Sequence, residues 1–143
     1  MAIDAPPAIV RSANFPTMLP VSSTAIQNVY DALHQVENPR NSLRPGKAGE
    51  MGPVQFTRDA WEETTTLPFT PVWVWQYSHE VGIKRLRHLE SVLRTHHVIP
   101  TAFRLAVAWK FGINDALQNG RPPTPAELEY ADRVANLAGD KVQ

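Results

Sequence analysis

The chain has 143 residues, which is enough for one ordinary domain with a hydrophobic core that needs no covalent cross-links. Its 14 Lys and Arg residues balance its 14 Asp and Glu residues, so no net charge selects nucleic acid or an anionic membrane surface as a partner. The absence of cysteine excludes disulfides, thiolate metal sites and a Cys nucleophile. No apolar run approaches the roughly 18 to 20 residues that a membrane span needs.

The N-terminal segment, residues 1–21, is rich in proline and lacks periodicity. This composition predicts an extended or disordered arm, followed by a single domain at 22–143. Asp4, Arg11 and several prolines interrupt the apolar stretch that a signal peptide needs. Export would therefore require either a signal that precedes this sequence or a route that uses none.

The first predicted helix runs from about residue 24 to about residue 38. Thr24 and Gln27 have capping-box spacing. Apolar residues then recur at steps of three and four, namely Ile26, Val29, Tyr30, Leu33 and Val36. After this helix, Pro39, Pro45, Gly46 and Gly49 among polar residues predict a loop that extends to Gly52.

The middle of the chain predicts a short helix and then a long one. Thr57 can cap a helix that continues to about Thr66, with Pro68 and Pro71 closing it. The segment VWVWQY, residues 72–77, fits either a strand or a helix entry, and we interpret it as the approach to a helix over about 78–94.

Two further helices complete the predicted fold. The apolar segment from Pro100 to Gly112 predicts a central buried helix that a C-terminal glycine ends. The last helix has Thr124 as its cap, Pro125 in its first turn and a stop at Gly139. Its predicted buried stripe consists of Leu128, Ala131, Val134 and Leu137. The sequence thus predicts a mostly α single domain of about five to six helices with little or no sheet.

Glu37 is the first candidate for chemistry. It lies one helical turn beyond Leu33, on or beside the apolar stripe of the first helix. A carboxyl group that is partly withdrawn from water can remain protonated and act as a general acid near neutral pH. The simpler alternative is a solvated carboxylate at the end of a helix.

A glycine-containing turn before Gln55 is the second candidate. Gly49, Gly52 and Pro53 would let the backbone come close to a ligand, while the Gln55 amide offers a donor and an acceptor. Such groups suit the amide and hydroxyl substituents of a sugar. The alternative is an ordinary turn that leads into a helix cap.

The remaining motifs exclude several kinds of site. His96 and His97 are adjacent and no HExxH motif occurs, so no metal site and no cofactor are predicted. No GxSxG, GxGxxG or P-loop motif occurs either. Five aromatic residues could stack on sugar rings or pack in the core, namely Trp61, Trp109, Trp73, Trp75 and Tyr77. The core is favoured for Trp61 and Trp109.

Three motifs in order carry a resemblance to a known family. The segments HQVENPRN, AGEMGPVQFT and LAVAWKFG resemble the Q-E-S-G-x-N, G-x-x-G-x-x-Q and A-[YW]-N-x-G motifs of soluble lytic transglycosylases and goose-type lysozymes. The resemblance covers roughly Ala25 to Ala138 and implies a lysozyme-like fold. It implies that Glu37 is the catalytic acid, and Tyr130 lies where family members often carry a tyrosine on a late helix. The substrate-binding residues that it implies are Asn41, Gly52, Gln55, Trp109 and Lys110. Tyr77 is a further candidate from its residue type, because it could stack on a sugar or hydrogen-bond the catalytic carboxyl.

The resemblance also implies a reaction, which is cleavage of the β-1,4 bond between N-acetylmuramic acid and N-acetylglucosamine in peptidoglycan. Glu37 would protonate the glycosidic oxygen and then act as a base. The C6 hydroxyl of the muramic residue would complete the reaction in a transglycosylase, and water would do so in a lysozyme. Most glycosidases use two carboxylates, whereas this family often uses one. The nearby acidic residues are expected to be solvated, and they are Glu50, Asp59, Glu62 and Glu63.

The sequence departs from the family at two places. Asn38 and Pro39 stand where small residues usually follow the catalytic Glu, and Lys110 and Phe111 replace the Asn-containing pair of the third motif. The expected location is periplasmic or extracellular, with peptidoglycan strands as the partner. One alternative is a catalytically weakened glycan-binding or assembly module of a phage or cell-envelope machine. A helical structural protein with coincidental motifs is another.

Overall fold

The structure is a computed structural model that describes residues 23–118 and 120–139, so the predicted arm at 1–21 lies outside the described residues. Within these ranges the fold is helical, and its β-structure is limited to an isolated bridge between Met51 and Phe56. The helices are α1 (Ser23–Glu37), α2 (Arg58–Thr64), α3 (Pro71–Thr95), α4 (Ala102–Phe111), α5 (Ile113–Ala116) and α6 (Pro125–Ala138). The predicted mostly α class is confirmed.

The hydrophobic core lies where α1, α3, α4 and α6 meet. The apolar stripe predicted for α1 is buried at Ile26, Val29, Tyr30 and Leu33. The Tyr30 hydroxyl shares a hydrogen bond of 2.7 Å with the Ser78 hydroxyl, which joins α1 to α3. This stripe sets the rotation of α1, and with it the direction in which Glu37 points.

The end of α1 follows from the residue after it. Asn38 precedes Pro39, and a proline ring disfavours helical backbone angles at the residue before it. The backbone N–H of Asn38 still donates to His34 O at 3.0 Å, so Asn38 closes the last helical turn. Glu37 is consequently the last helical residue of α1, with a loop directly behind it.

A tight turn lies between Met51 and Phe56, whose backbones exchange hydrogen bonds of 3.0 and 2.9 Å. The turn is anchored in the core because Val54 and Phe56 are buried. The Phe56 ring also packs edge-on against the Trp61 ring, with 5.0 Å between the ring centres. Thr57 caps α2 as predicted, since its side chain accepts a hydrogen bond from Ala60 N. The turn is therefore held at both ends.

The predicted start of the long helix was wrong, because α3 begins at Pro71 and includes VWVWQY. Proline is tolerated in the first helical turn, where its missing N–H would have no helical partner. The role assigned to Pro68 and Pro71 was also wrong. Helix α2 ends at Thr64, and its C-cap Thr65 is already extended.

The caps of the last helices were predicted correctly. Gly112 ends α4, and Thr124 and Glu127 form the predicted capping box of α6. Helix α5 was missed because its four residues are too few for periodicity to show. The predicted stripe of α6 was wrong in part: Leu128 and Leu137 are at least half exposed.

None of the helices in the described ranges has both the length and the apolar composition that a membrane span needs. Helix α3 is long enough, with 25 residues, but it carries Lys84, Arg85, Arg87 and Glu90. This agrees with the expectation from the sequence.

Candidate active site

The Glu37 side chain is only 10% exposed, although it lies at the end of a surface helix. It continues the buried face of α1 one turn beyond Leu33, and α4 and α6 both pack against this helix. The alternative of a solvated carboxylate is therefore not what the structure shows. A carboxyl withdrawn from water must be satisfied by polar partners.

Tyr130 on α6 is the first of these partners. Its hydroxyl donates a hydrogen bond of 2.6 Å to Glu37 Oε2. Burial raises the pKa of Tyr130 far above its ordinary value, and the charge of Glu37 and the hydrogen bond to it raise that pKa further. The phenol thus remains a proton donor throughout the neutral range and fixes the orientation of the carboxyl group. Phe111 packs edge-on against its ring at 5.9 Å.

Lys110 on the last turn of α4 is the second partner. Its Nζ lies 3.4 Å from Glu37 Oε2 and 5.5 Å from the centre of the Tyr130 ring. The Lys110 side chain is 42% exposed, so the ammonium group covers the carboxyl from the solvent side. Lys110 is one of the two residues at which the third motif departs from the family pattern, the other being Phe111. It contacts the predicted catalytic group directly.

Both partners act on the same oxygen of Glu37. Within residues 23–118 and 120–139, no hydrogen bond reaches Glu37 Oε1. A carboxyl held through one oxygen can exchange a proton through the other, which is the geometry that a general acid or base requires. The same carboxyl also forms an ion pair with Lys110, which a substrate that binds at Oε2 would have to displace.

Asn38 has a positioning role that the sequence did not reveal. Its side chain is buried, its Nδ2 donates to Ser42 O at 3.0 Å and to Gly52 O at 3.1 Å, and its Oδ1 accepts from Ser42 N at 2.8 Å. The residue after Glu37 is thereby tied to the glycine turn. The available signal was an Asn at the end of a helix, before a proline, where its side chain readily bonds to nearby backbone groups.

The predicted turn glycine, Gly52, is required for two reasons. Its φ of 91° favours glycine, and a Cβ atom there would lie 2.7 Å from Val74 Cγ1. Its carbonyl oxygen accepts from Gln55 Nε2 at 2.9 Å as well as from Asn38. The Gln55 amide therefore closes its own turn with one N–H, which leaves its second N–H for other partners.

The other predicted binding residues have local partners in the structure. Asn41 is exposed and shares a hydrogen bond of 2.7 Å with His34. The Tyr77 ring stacks on the Trp73 ring with 5.6 Å between the ring centres, and the Trp109 ring packs on the Phe56 ring with 5.3 Å between their centres. The structure thus brings Lys110 and Tyr130 into contact with Glu37, and Gly52 into contact with its neighbour Asn38. None of Asn41, Tyr77 and Trp109 has a hydrogen bond or ion pair to Glu37 in the described part of the chain.

A second carboxylate beside Glu37 has no support among the four candidates in the sequence. Glu62 and Glu63 are well exposed and pair with Arg58 and Arg85. Asp59 is exposed, and Glu50 accepts a hydrogen bond from Ala48 N within its own loop. No cluster of potential metal ligands occurs in residues 23–118 and 120–139.

A cavity of about 320 Å³ lies elsewhere, between α1, the start of α4 and the end of α6. Val29, Thr101 and Leu105 contribute to its lining, and Glu37, Lys110 and Tyr130 do not. The Glu37 cluster is therefore separate from this cavity.

Comparisons of this chain with protein-family models, with curated proteins and with solved structures find no match. The family resemblance therefore stays a prediction from three short motifs. Any function assigned to the chain must be argued from the geometry of the Glu37 cluster.

Proposed function

We propose that this protein is a glycosidase that cleaves the β-1,4 bond between N-acetylmuramic acid and N-acetylglucosamine in peptidoglycan, with Glu37 as its single acid and base. The observation that carries the proposal is the placement of Glu37. Its carboxyl group is almost buried, accepts a hydrogen bond of 2.6 Å from Tyr130, and keeps Oε1 without a hydrogen bond from the described residues. The buried structural carboxylate Glu127 differs in this respect, because both of its oxygens accept hydrogen bonds from Arg121.

This geometry supports the two steps assigned to Glu37. The Tyr130 hydrogen bond fixes the carboxyl plane, so that Oε1 keeps a constant direction while a proton is transferred. Glu37 first protonates the glycosidic oxygen. It then accepts a proton from the hydroxyl group or water molecule that attacks the sugar. Both steps use the same oxygen, and no hydrogen bond from the described residues has to be broken at Oε1.

The glycine turn supports a sugar site next to this acid. Asn38 follows Glu37 directly and bonds to Gly52 O, so the turn is fixed relative to the end of α1. Gln55 retains one amide N–H and its carbonyl oxygen for a substrate. We assign the turn the role of orienting an acetamido or hydroxyl substituent. The partner is then a peptidoglycan strand, and the place of action is periplasmic or extracellular.

A digest of purified sacculi tests the proposal. The wild-type protein is expected to release soluble muropeptides, and mass spectrometry of these products separates the two reaction types. Ends of the 1,6-anhydro type indicate a transglycosylase, and reducing ends indicate a lysozyme. Intact sacculi after prolonged incubation would contradict the proposal.

A second candidate function is a glycan-binding or assembly module with weakened chemistry, and the Lys110 ion pair favours it. The ammonium group lies 3.4 Å from the Glu37 carboxyl, so the group assigned to catalysis is already engaged in an ion pair. Co-sedimentation of the wild-type protein with sacculi that remain uncleaved between about pH 4 and pH 8 would support this alternative. Cleavage with defined products would exclude it.

A further inference from the structure

Lys110 combines two features that a binding residue needs. Its Nζ contacts the nearly buried carboxyl of Glu37 at 3.4 Å, yet 42% of its side chain faces solvent. The ion pair thus joins the nearly buried carboxyl to a partly exposed cation that a substrate can contact. The ring of Tyr130 at 5.5 Å supports the cation from a second side.

We propose that Lys110 determines specificity for anionic glycans, because it exchanges the Glu37 carboxylate for a carboxylate of the substrate. This inference rests on the proposed glycosidase function. Muramic residues carry a lactyl group, and with it a carboxylate or a peptide that ends in carboxylates. Chains of N-acetylglucosamine alone carry none. The substrate class is therefore a glycan with an acidic substituent close to the cleaved bond.

The exchange follows from the charges at the site. When a carboxylate replaces Glu37 as the partner of Lys110, the cation keeps an anionic partner and Glu37 is released from the ion pair. A neutral glycan offers no such partner. It would either leave the ion pair in place or separate it without compensation. A bound acidic substrate would thus release Glu37 for contact with the glycosidic bond.

The side chain of Lys110 suits this movement. A lysine carries a compact charge on a flexible four-carbon stem, and its contact with Glu37 involves a single oxygen. The neighbouring residue Phe111 is packed against Tyr130, and Tyr130 is bonded to Glu37. Lys110 can therefore change its partner while the ring cluster and the orientation of Glu37 are retained.

Substitutions of Lys110 separate its charge from its packing. Lys110→Met removes the charge and keeps most of the stem, whereas Lys110→Arg keeps the charge. The kcat/KM of each is measured on peptide-free glycan strands that retain the lactyl carboxylate and on chito-oligosaccharides of equal length. The wild-type protein and Lys110→Arg are expected to prefer the acidic strands, and Lys110→Met is expected to lose roughly tenfold of this preference.

A binding measurement provides a readout that does not depend on catalysis. Glu37→Gln and Glu37→Gln/Lys110→Met are titrated with the same two oligosaccharides by calorimetry. Loss of the cation is expected to weaken binding of the acidic oligosaccharide about tenfold and to leave the neutral one unchanged. Equal weakening of both ligands, or of neither, would overturn the specificity role.

The outcomes also separate this inference from the proposed function. Glu37-dependent cleavage with the same substrate preference in the wild-type protein and Lys110→Met would refute the role of Lys110 alone. If the wild-type protein cleaves neither glycan, the proposed function is refuted. The calorimetric titrations then still show whether Lys110 binds the acidic oligosaccharide through its charge.

Discussion

The side-chain amide of Asn38 donates a hydrogen bond of 3.1 Å to the carbonyl oxygen of Gly52. This bond joins the end of α1, which carries Glu37, to the turn that is proposed to orient the sugar. Asn38 also binds both backbone groups of Ser42, so one buried amide fixes the loop at two places. The relative position of the acid and the turn therefore depends on Asn38.

Asn38→Ala is expected to destabilise the protein by about 2 to 3 kcal/mol, because it removes the three hydrogen bonds of a buried amide. Urea unfolding measures this change. Asn28→Ala on the exposed face of α1 is the matched control and should change stability by less than about 0.5 kcal/mol. Equal stabilities of the two variants would contradict the role of the Asn38 amide.

Gly52→Ala combines a strained φ of 91° with a contact of 2.7 Å between the new Cβ and Val74 Cγ1. We expect a loss of more than about 2 kcal/mol. Gly49→Ala has a similar φ of 82° but no atom within 4 Å of the new Cβ, so it should cost only about 1 kcal/mol. Thermal unfolding of both variants gives the difference, and its absence would show that Val74 yields without cost.

Tyr130→Phe keeps the ring that packs against Phe111 and removes the hydroxyl that bonds to Glu37. The activity on sacculi is expected to fall about 10- to 100-fold, because a hydrogen bond to a charged group contributes about 1.5 to 3 kcal/mol. Tyr30→Phe is the control, because it removes a hydroxyl that bonds to Ser78 and not to Glu37. A Tyr130→Phe variant with full activity would remove Tyr130 from the mechanism.

The stability of α6 should depend on acid pH through Glu127. Hydrogen bonds from Arg121 and from Thr124 N lower the pKa of Glu127 to about 2, from 4.5. The folded carboxyl thus holds its proton more weakly than the unfolded one. Its stabilising contribution is complete above pH 4.5 and is lost as the pH falls towards 2. The pKa of Asp115 is raised by its hydrogen bond to Glu127, which opposes this trend in part.

Glu127→Gln is accordingly expected to lower the Tm at neutral pH and to flatten its decline in acid. Glu129→Gln, which changes an exposed residue of the same helix, is the control. Differential scanning calorimetry at several pH values measures both. A Glu127→Gln variant whose Tm falls as steeply in acid as that of the wild type would show that other groups govern the acid transition.

Much of the fold could be predicted because its signals are local. The cap at Thr124, the box with Glu127 and the stop at Gly139 depend on residues within one or two turns of each other. The start of α3 could not be predicted in this way. Alternating Val and Trp satisfy strand and helix patterns equally, and contacts with the core decide between them.

The site was predictable only in part for a similar reason. Periodicity placed Glu37 beside the buried face of α1, but its partners come from α4 and α6, more than 70 residues away. The distance between Lys110 and Glu37 depends on how these helices pack. The amide of Asn38 was missed because its acceptor at Gly52 is defined by the loop conformation and not by spacing.

The most direct test of the account compares the release of soluble muropeptides from purified sacculi by the wild-type protein, Glu37→Gln and Glu62→Gln. Glu37→Gln keeps the shape of the side chain and removes its titrating proton, while Glu62 is an exposed residue of α2. The wild type and Glu62→Gln are expected to release muropeptides, and Glu37→Gln is expected to lose at least about 100-fold of this activity. Release by Glu37→Gln at the wild-type rate would contradict the role of Glu37 as the catalytic acid.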